Sequence, residues 1–161
     1  MNGRTQLEEY DEARVAPIAR DLRKMQVELN HIFPEREHLV SQLIYGLLTR
    51  EHTLVFGVHG TGKSDLLHTL LGRIEGAKVF SAELSKFMSE GHIIGIPDPK
   101  LLRDEGLIEH RIKGSILEAN FGDLDEILDA NASLLRVLLG ILNERHFKRG
   151  HQDLNIPLHM A

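Results

Sequence analysis

Cysteine is absent from the 161 residues, as is tryptophan, and six Phe and two Tyr are all the aromatic surface there is. Without thiols there can be no disulfide, thiolate metal ligand or cysteine nucleophile, which fits a reducing compartment. With aromatics at 5%, the core has to be built from Leu, Ile and Val. Long apolar runs are missing too. The greasiest, Leu134 to Leu142, is interrupted by Arg136 and falls well short of the ~20 residues of a membrane helix. Met1 to Glu12 is polar and acidic and lacks the apolar stretch of a secretory signal. The expected location is therefore the cytoplasm, with no membrane partner. Positive charge is not in excess, since 19 Lys and Arg face 24 Asp and Glu for a net charge of −5. That balance argues against a broad nucleic-acid face. What remains is 42% apolar and 27% charged, the composition of an ordinary soluble domain able to bury a core.

Hydrophobic spacing organises the chain. Leu7 to Ile32 reads as one or two amphipathic helices, with Val15, Ile18, Leu22, Met25 and Leu29 on one face and Pro17 starting a second piece or kinking a single one. Phe33-Pro34 ends it. Glu35 to Thr49 reads as a second helix, with Leu39, Leu43, Ile44 and Leu47 inward. Thr53-Leu54-Val55-Phe56 suits a strand buried on both faces. A glycine-rich stretch and a helix bearing Leu66, Leu67, Leu70, Leu71 and Ile74 follow, then a strand at Lys78 to Phe80. This strand, loop, helix, strand unit implies a parallel sheet. Ser81 to Gly114 is broken by Gly91, Gly95, Pro97, Pro99 and Gly106 into loops and short helices. A third strand is expected near Ala119 to Leu124, a helix over Asn131 to Glu144 and a fourth strand over Leu154 to Met160.

Gly57-Val58-His59-Gly60-Thr61-Gly62-Lys63-Ser64 satisfies G-x-x-x-x-G-K-[ST]. Glycines let successive backbone N–H groups turn inward on phosphate oxygens, with no Cβ in the way. The helix that starts near Lys63 adds the positive end of its dipole. Lys63 is placed to reach the β- and γ-phosphates and Ser64 to put its hydroxyl on Mg²⁺; Asp65 completes the binding run. Chance produces such a match in a chain of this length on the order of one time in two hundred. Here it also sits between a strand and an amphipathic helix.

A P-loop ATPase needs a carboxylate at the end of a neighbouring strand to hold the ion's water shell. Asp125-Glu126 follows the third strand and fits, with Asp125 for magnesium and Glu126 as general base. The strand itself is less apolar than a buried one should be, reading Asn120-Phe121-Gly122-Asp123-Leu124. A buried, unpaired Asp123 would cost several kcal/mol. Either it has a cationic or hydrogen-bonding partner, or the strand is short and partly exposed, or the site is degraded.

Phe33-Pro34-Glu35-Arg36-Glu37-His38, the phosphate loop, Leu101-Leu102-Arg103-Asp104-Glu105-Gly106, Leu124-Asp125-Glu126-Ile127 and Leu142-Asn143-Glu144-Arg145-His146-Phe147-Lys148-Arg149-Gly150 together resemble the MoxR family of AAA+ ATPases, nearest its RavA-like branch. The resemblance covers the chain from about Asn30 onward. It implies an α/β three-layer sandwich with a parallel sheet in the order 5-1-4-3-2. An N-terminal helical segment over 1–32 would precede a nucleotide-binding domain over 33–161. An insertion in the second helix is expected over about 86–117, with Arg111 to Ile116 a hairpin at its end. Carried over by position, Gly57, Gly62, Lys63 and Ser64 become nucleotide ligands, and Asp125 and Glu126 the magnesium and water-activating pair. Family members form rings, usually hexameric, with chaperone-like roles and von Willebrand A domain partners. In the family a polar sensor, an arginine finger, a fifth strand and a helical lid come later than the position of Ala161. On that pattern this chain alone is expected to hydrolyse ATP slowly or not at all, and its first strand to be an open edge.

Ten histidines invite a metal site, but the spacing of His31 and His38, His52 and His59, and His146 and His151 does not support one, and H-E-x-x-H is absent. His59 stands inside the phosphate loop, where it can approach a phosphate. Asn131 is read as a helix cap, and Lys148-Arg149 as a solvated helix end. The leading function is an ATP-hydrolysing remodeller. The alternatives are a non-hydrolysing nucleotide-binding module and, third, a small P-loop kinase.

Overall fold

The computed structural model describes residues 12–57 and 61–161. The expected helix start at Leu7 lies outside them, as do Val58, His59 and Gly60. Helix α1 (Glu12–Ile32) runs unbroken through Pro17, at which the helix gives up one amide hydrogen bond. Its apolar stripe is only half covered. Leu29 is fully buried and Met25 packs on the same cluster, whereas Val15 and Ile18 face solvent. Helix α2 (Glu37–Thr49) buries Val40, Leu43 and Ile44 and ends at Arg50 in a left-handed cap. Helix α3 (Lys63–Leu71) buries Leu66, Leu70 and Leu71.

Strand β1 (Val79–Glu83) pairs in parallel with β2 (Phe121–Asp125), Val79 opposite Phe121 and Glu83 opposite Asp125. Between them lie two short helices, α4 (Gly91–Ile94) and α5 (Pro99–Glu105), and a 3₁₀ turn at Ile116–Glu118. After β2 come helix α6 (Ala132–Glu144) and a hairpin of β3 (His146–Arg149) and β4 (Gln152–Asn155). The chain then returns to the sheet. Phe121 and Met160 form a parallel bridge, the His159 amide donates to the Asn120 carbonyl at 2.6 Å and the Gly122 amide to that of Met160 at 2.9 Å. On the other side of this segment the Thr53 amide donates to the Ala161 carbonyl at 2.9 Å. The backbones are thus laid side by side in the order β1, β2, 158–161, 53.

Side chains of the sheet alternate between two cores, as strand geometry requires. Phe121 and Met160 join Leu29, Val40, Leu43, Ile44, Leu66, Leu70 and Leu71 under α1 to α3. Leu124, Phe80 and Ala82 pack on the other core, made of Leu84, Ile93, Ile94, Ile116, Leu117, Leu134, Leu138, Ile141 and Phe147. One sheet with helices on each face is the three-layer arrangement expected for the chain.

Four expectations are corrected. Thr53 to Phe56 is not buried on both faces: Leu54 and Phe56 are 62% and 71% exposed, and these residues form no ladder, because only Thr53 meets a neighbouring backbone amide. The fourth strand does not run from Leu154 to Met160. Leu154 belongs to β4, and the Ile156 amide bonds back to Arg145, so only the last residues reach the sheet. Arg111 to Ile116 is a turn, and the antiparallel bridge falls earlier, between Pro97 and His110. Lys148 and Arg149 lie on β3, not at a helix end; Arg149 meets Glu90 at 2.8 Å and Lys148 meets Asp153 at 3.5 Å. Asn131 caps α6 as expected, its side chain accepting from the Leu134 amide at 3.0 Å.

Arg145 ties these parts together. It sits in the left-handed region (φ 47°) at the end of α6, and its guanidinium donates to the carbonyls of Leu158 and Arg50. Arg145→Leu strands two carbonyls at the sheet edge and should cost about 2 kcal/mol in urea unfolding. Between β1 and β2, Asp98 plays the local counterpart, capping α5 through the Lys100 amide and pairing with Arg111 at 2.7 Å. The Arg111 guanidinium is the main reason its carboxyl drops from 3.8 to about 2. A depressed carboxyl stabilises the fold above its unfolded value and stops doing so as pH falls through its folded value. The midpoint of thermal unfolding should therefore decline between about pH 4 and pH 2, with a shallower decline in Asp98→Asn.

Candidate functional site

Gly62, the last glycine of the phosphate loop, has φ 74° and opens α3. A side chain would find no clash there, so backbone conformation alone asks for glycine. The turn leaves the first amides of α3 unpaired within the helix, with the dipole's positive end at the same spot. Lys63 folds back across the loop, and its Nζ donates to the Gly57 carbonyl at 2.9 Å. Arg36, from the entry to α2, donates to the Thr61 carbonyl at 3.4 Å. Ser64 and Asp65 occupy the exposed first turn.

The end of β2 lies across from this turn. Asp125 accepts from the Glu126 amide through Oδ1 at 3.0 Å, and Glu126 itself is left-handed, at φ 53° and ψ 41°. A cavity of about 690 Å³ is lined by both sides, with Gly57 and Thr61 to Asp65 on one and Gly122 to Leu128 on the other. Leu39, Leu54, Phe56 and Leu142 contribute apolar wall. The fold therefore gathers Gly57, Thr61, Gly62, Lys63, Ser64, Asp65, Asp125 and Glu126 around one space, while Val58, His59 and Gly60 lie outside the described residues.

The two polar surprises of β2 each have a local reason. A Cβ on Gly122 would stand 2.9 Å from the Cβ of Ala161, so the methyl group of the returning segment leaves no room for a larger residue. Asp123 does have a partner, its Oδ2 lying 3.2 Å from Nε2 of the His68 imidazole. Burial raises the Asp123 carboxyl above the usual range; His68 opposes that rise and Asp125 adds to it.

The donors suit a magnesium nucleotide. They are a hydroxyl, carboxylates and an ammonium, the hard ligands Mg²⁺ and phosphate require. Among the described residues no group of three or more acidic or histidine side chains closes around a cation. An ion held here would take its remaining ligands from phosphate and water, which is how Mg²⁺ is commonly bound.

Fold and site together define the AAA+ type of P-loop ATPase. Residues 20–161 match the model of the "MoxR domain in the MoxR-vWA-beta-propeller ternary systems", and the chain belongs to the MoxR family. That match does not extend to the RavA-like branch. An uncharacterized protein of Methanocaldococcus jannaschii is 31% identical over 89% of this chain and 38% of its own length. The Mycobacterium tuberculosis chaperone MoxR1 is 28% identical over 81% of this chain and 33% of its own. The chain thus spans between 24% and 38% of the length of the curated relatives it matches. A crystal structure of a Cytophaga hutchinsonii protein, provisionally described as an ATPase, superposes with a TM-score of 0.68 at 18% identity, over 92% of this chain and 46% of that one; it shares the fold.

Arg36, His68 and Arg145 carry contacts that motif reading does not reveal, since each partner is distant in sequence. The strain at Glu126 yields a direct test. A left-handed residue with a Cβ costs roughly 1 kcal/mol relative to glycine, so Glu126→Gly should unfold at higher urea than Glu126→Ala, by about that amount.

Proposed function

We propose that this chain binds ATP with Mg²⁺ at the phosphate loop and supplies the hydrolytic site of a ring-forming, chaperone-like remodelling ATPase. The carrying observation is the shared cavity, with Lys63 and Ser64 on one wall and Asp125 and Glu126 on the other. In this reading the amides at the start of α3 and the Lys63 ammonium bind the β- and γ-phosphate oxygens. The Ser64 hydroxyl and Asp125 hold the ion's ligand shell, and Glu126 takes a proton from the attacking water. Bound Mg²⁺ would neutralise charge on the phosphates. Moving Lys63 from the Gly57 carbonyl to phosphate exchanges an exposed hydrogen bond to a neutral acceptor for a charge-assisted one. The described family context, a MoxR domain working with a von Willebrand A protein, supports a partner of that kind and a protein client. No described helix is long and apolar enough to cross a membrane.

Calorimetry with Mg-ATP tests the reading. Lys63→Ala should abolish detectable binding, and Glu126→Gln should leave binding intact while removing turnover. Turnover that Glu126→Gln leaves unchanged would remove the hydrolytic role given to the acidic pair. Absence of any binding heat from folded protein would remove the proposal.

A further inference from the structure

Asp123 is costly where it stands. Only 15% of its side chain is exposed, burial pushes against its ionised form, and an apolar residue would ordinarily serve better at the centre of a parallel sheet. Strand alternation sets it on the same face as Asp125, two residues on. Its contact, His68, stands four residues beyond Ser64 on α3, hence on the same helical face one turn later. Two rungs therefore span the same pair of elements: the Ser64 and Asp125 rung proposed to hold the ion, and the His68 and Asp123 rung at 3.2 Å. We infer that His68 and Asp123 form a positioning pair that sets the spacing of α3 from β2, and with it the metal-dependent part of nucleotide binding.

This rests on the phosphate-loop reading above. Backbone amides and Lys63 grip phosphate from the α3 side alone, so they do not need the spacing. The ion, shared between Ser64 and Asp125, does. Loss of the pair should act on one and spare the other, which a general loss of stability would not do.

The test is calorimetric binding of ADP and of a non-hydrolysable ATP analogue, in Mg²⁺ and in EDTA, with circular dichroism as the check on folding. In Asp123→Leu and His68→Ala, affinity in Mg²⁺ should fall about five- to tenfold, while affinity in EDTA stays at the wild-type value. The exchanged double variant, His68→Asp with Asp123→His, should recover most of the magnesium-dependent affinity. Equal losses in Mg²⁺ and EDTA, or an unchanged magnesium effect in both single variants, would overturn the inference. If Asp123→Leu fails to fold, His68→Ala carries the test, since His68 is 56% exposed on its helix. Failure of the wild type to bind in either condition overturns the phosphate-loop reading itself, and the pair falls with it; magnesium-enhanced binding with insensitive variants overturns the pair alone.

Discussion

Backbone hydrogen bonding by one short segment, Leu158 to Ala161, holds the two halves of the site in a single sheet. Met160 accepts from the Gly122 amide on one side and Ala161 accepts from the Thr53 amide on the other. The first of these neighbours leads directly into Asp125 and Glu126, the second into the phosphate loop. Strand ladders do not join them, because among the described residues β1 pairs with β2 and β3 with β4. The position of an acidic strand end relative to a phosphate loop therefore depends on amides from three distant stretches of chain.

Side chains reinforce this segment from outside the sheet. His52 contacts the Leu142 carbonyl through Nε2 at 2.9 Å and accepts the Ala161 amide on Nδ1 at 3.0 Å. For both to hold, the proton sits on Nε2. His159 reaches the Leu47 carbonyl at 2.6 Å, and Arg145 covers the carbonyls of Leu158 and Arg50. Several histidines that look like candidate metal ligands are instead hydrogen-bonding fillers where helices meet irregular backbone, which cannot be left unsatisfied once buried.

The site also divides its tasks by element. In the proposed reading, phosphate grip falls to the start of α3, whose geometry comes from one left-handed glycine and a nine-residue helix. The same reading gives metal and water chemistry to the end of β2, where Glu126 is held in a costly conformation of the kind that recurs at functional positions. The contact of His68 with Asp123 runs between those elements beside the cavity. On that reading, binding and hydrolysis would respond separately to substitution.

Local chemistry determined what could be read directly from the residues. The glycine and lysine spacing located the phosphate loop, since turn, helix start and ammonium all fall within eight consecutive residues. Helical periodicity located α2, α3 and α6, since their buried faces repeat every three or four residues. The Asn131 cap was legible for the same reason, its bond spanning three residues. Tertiary structure alone decided the rest. Val15 and Ile18 share a stripe with Leu29, yet only the latter is covered, because α2 and α3 extend no further. Leu154 to Met160 has a strand's pattern but splits between a hairpin and the sheet, since which neighbour a strand pairs with is set by amides far away in sequence. Gly122 and Asp123 looked like flaws in a buried strand until the third dimension supplied Ala161 against one and His68 against the other. Pattern reports what a segment can bury; only the folded chain reports what is there to bury it against.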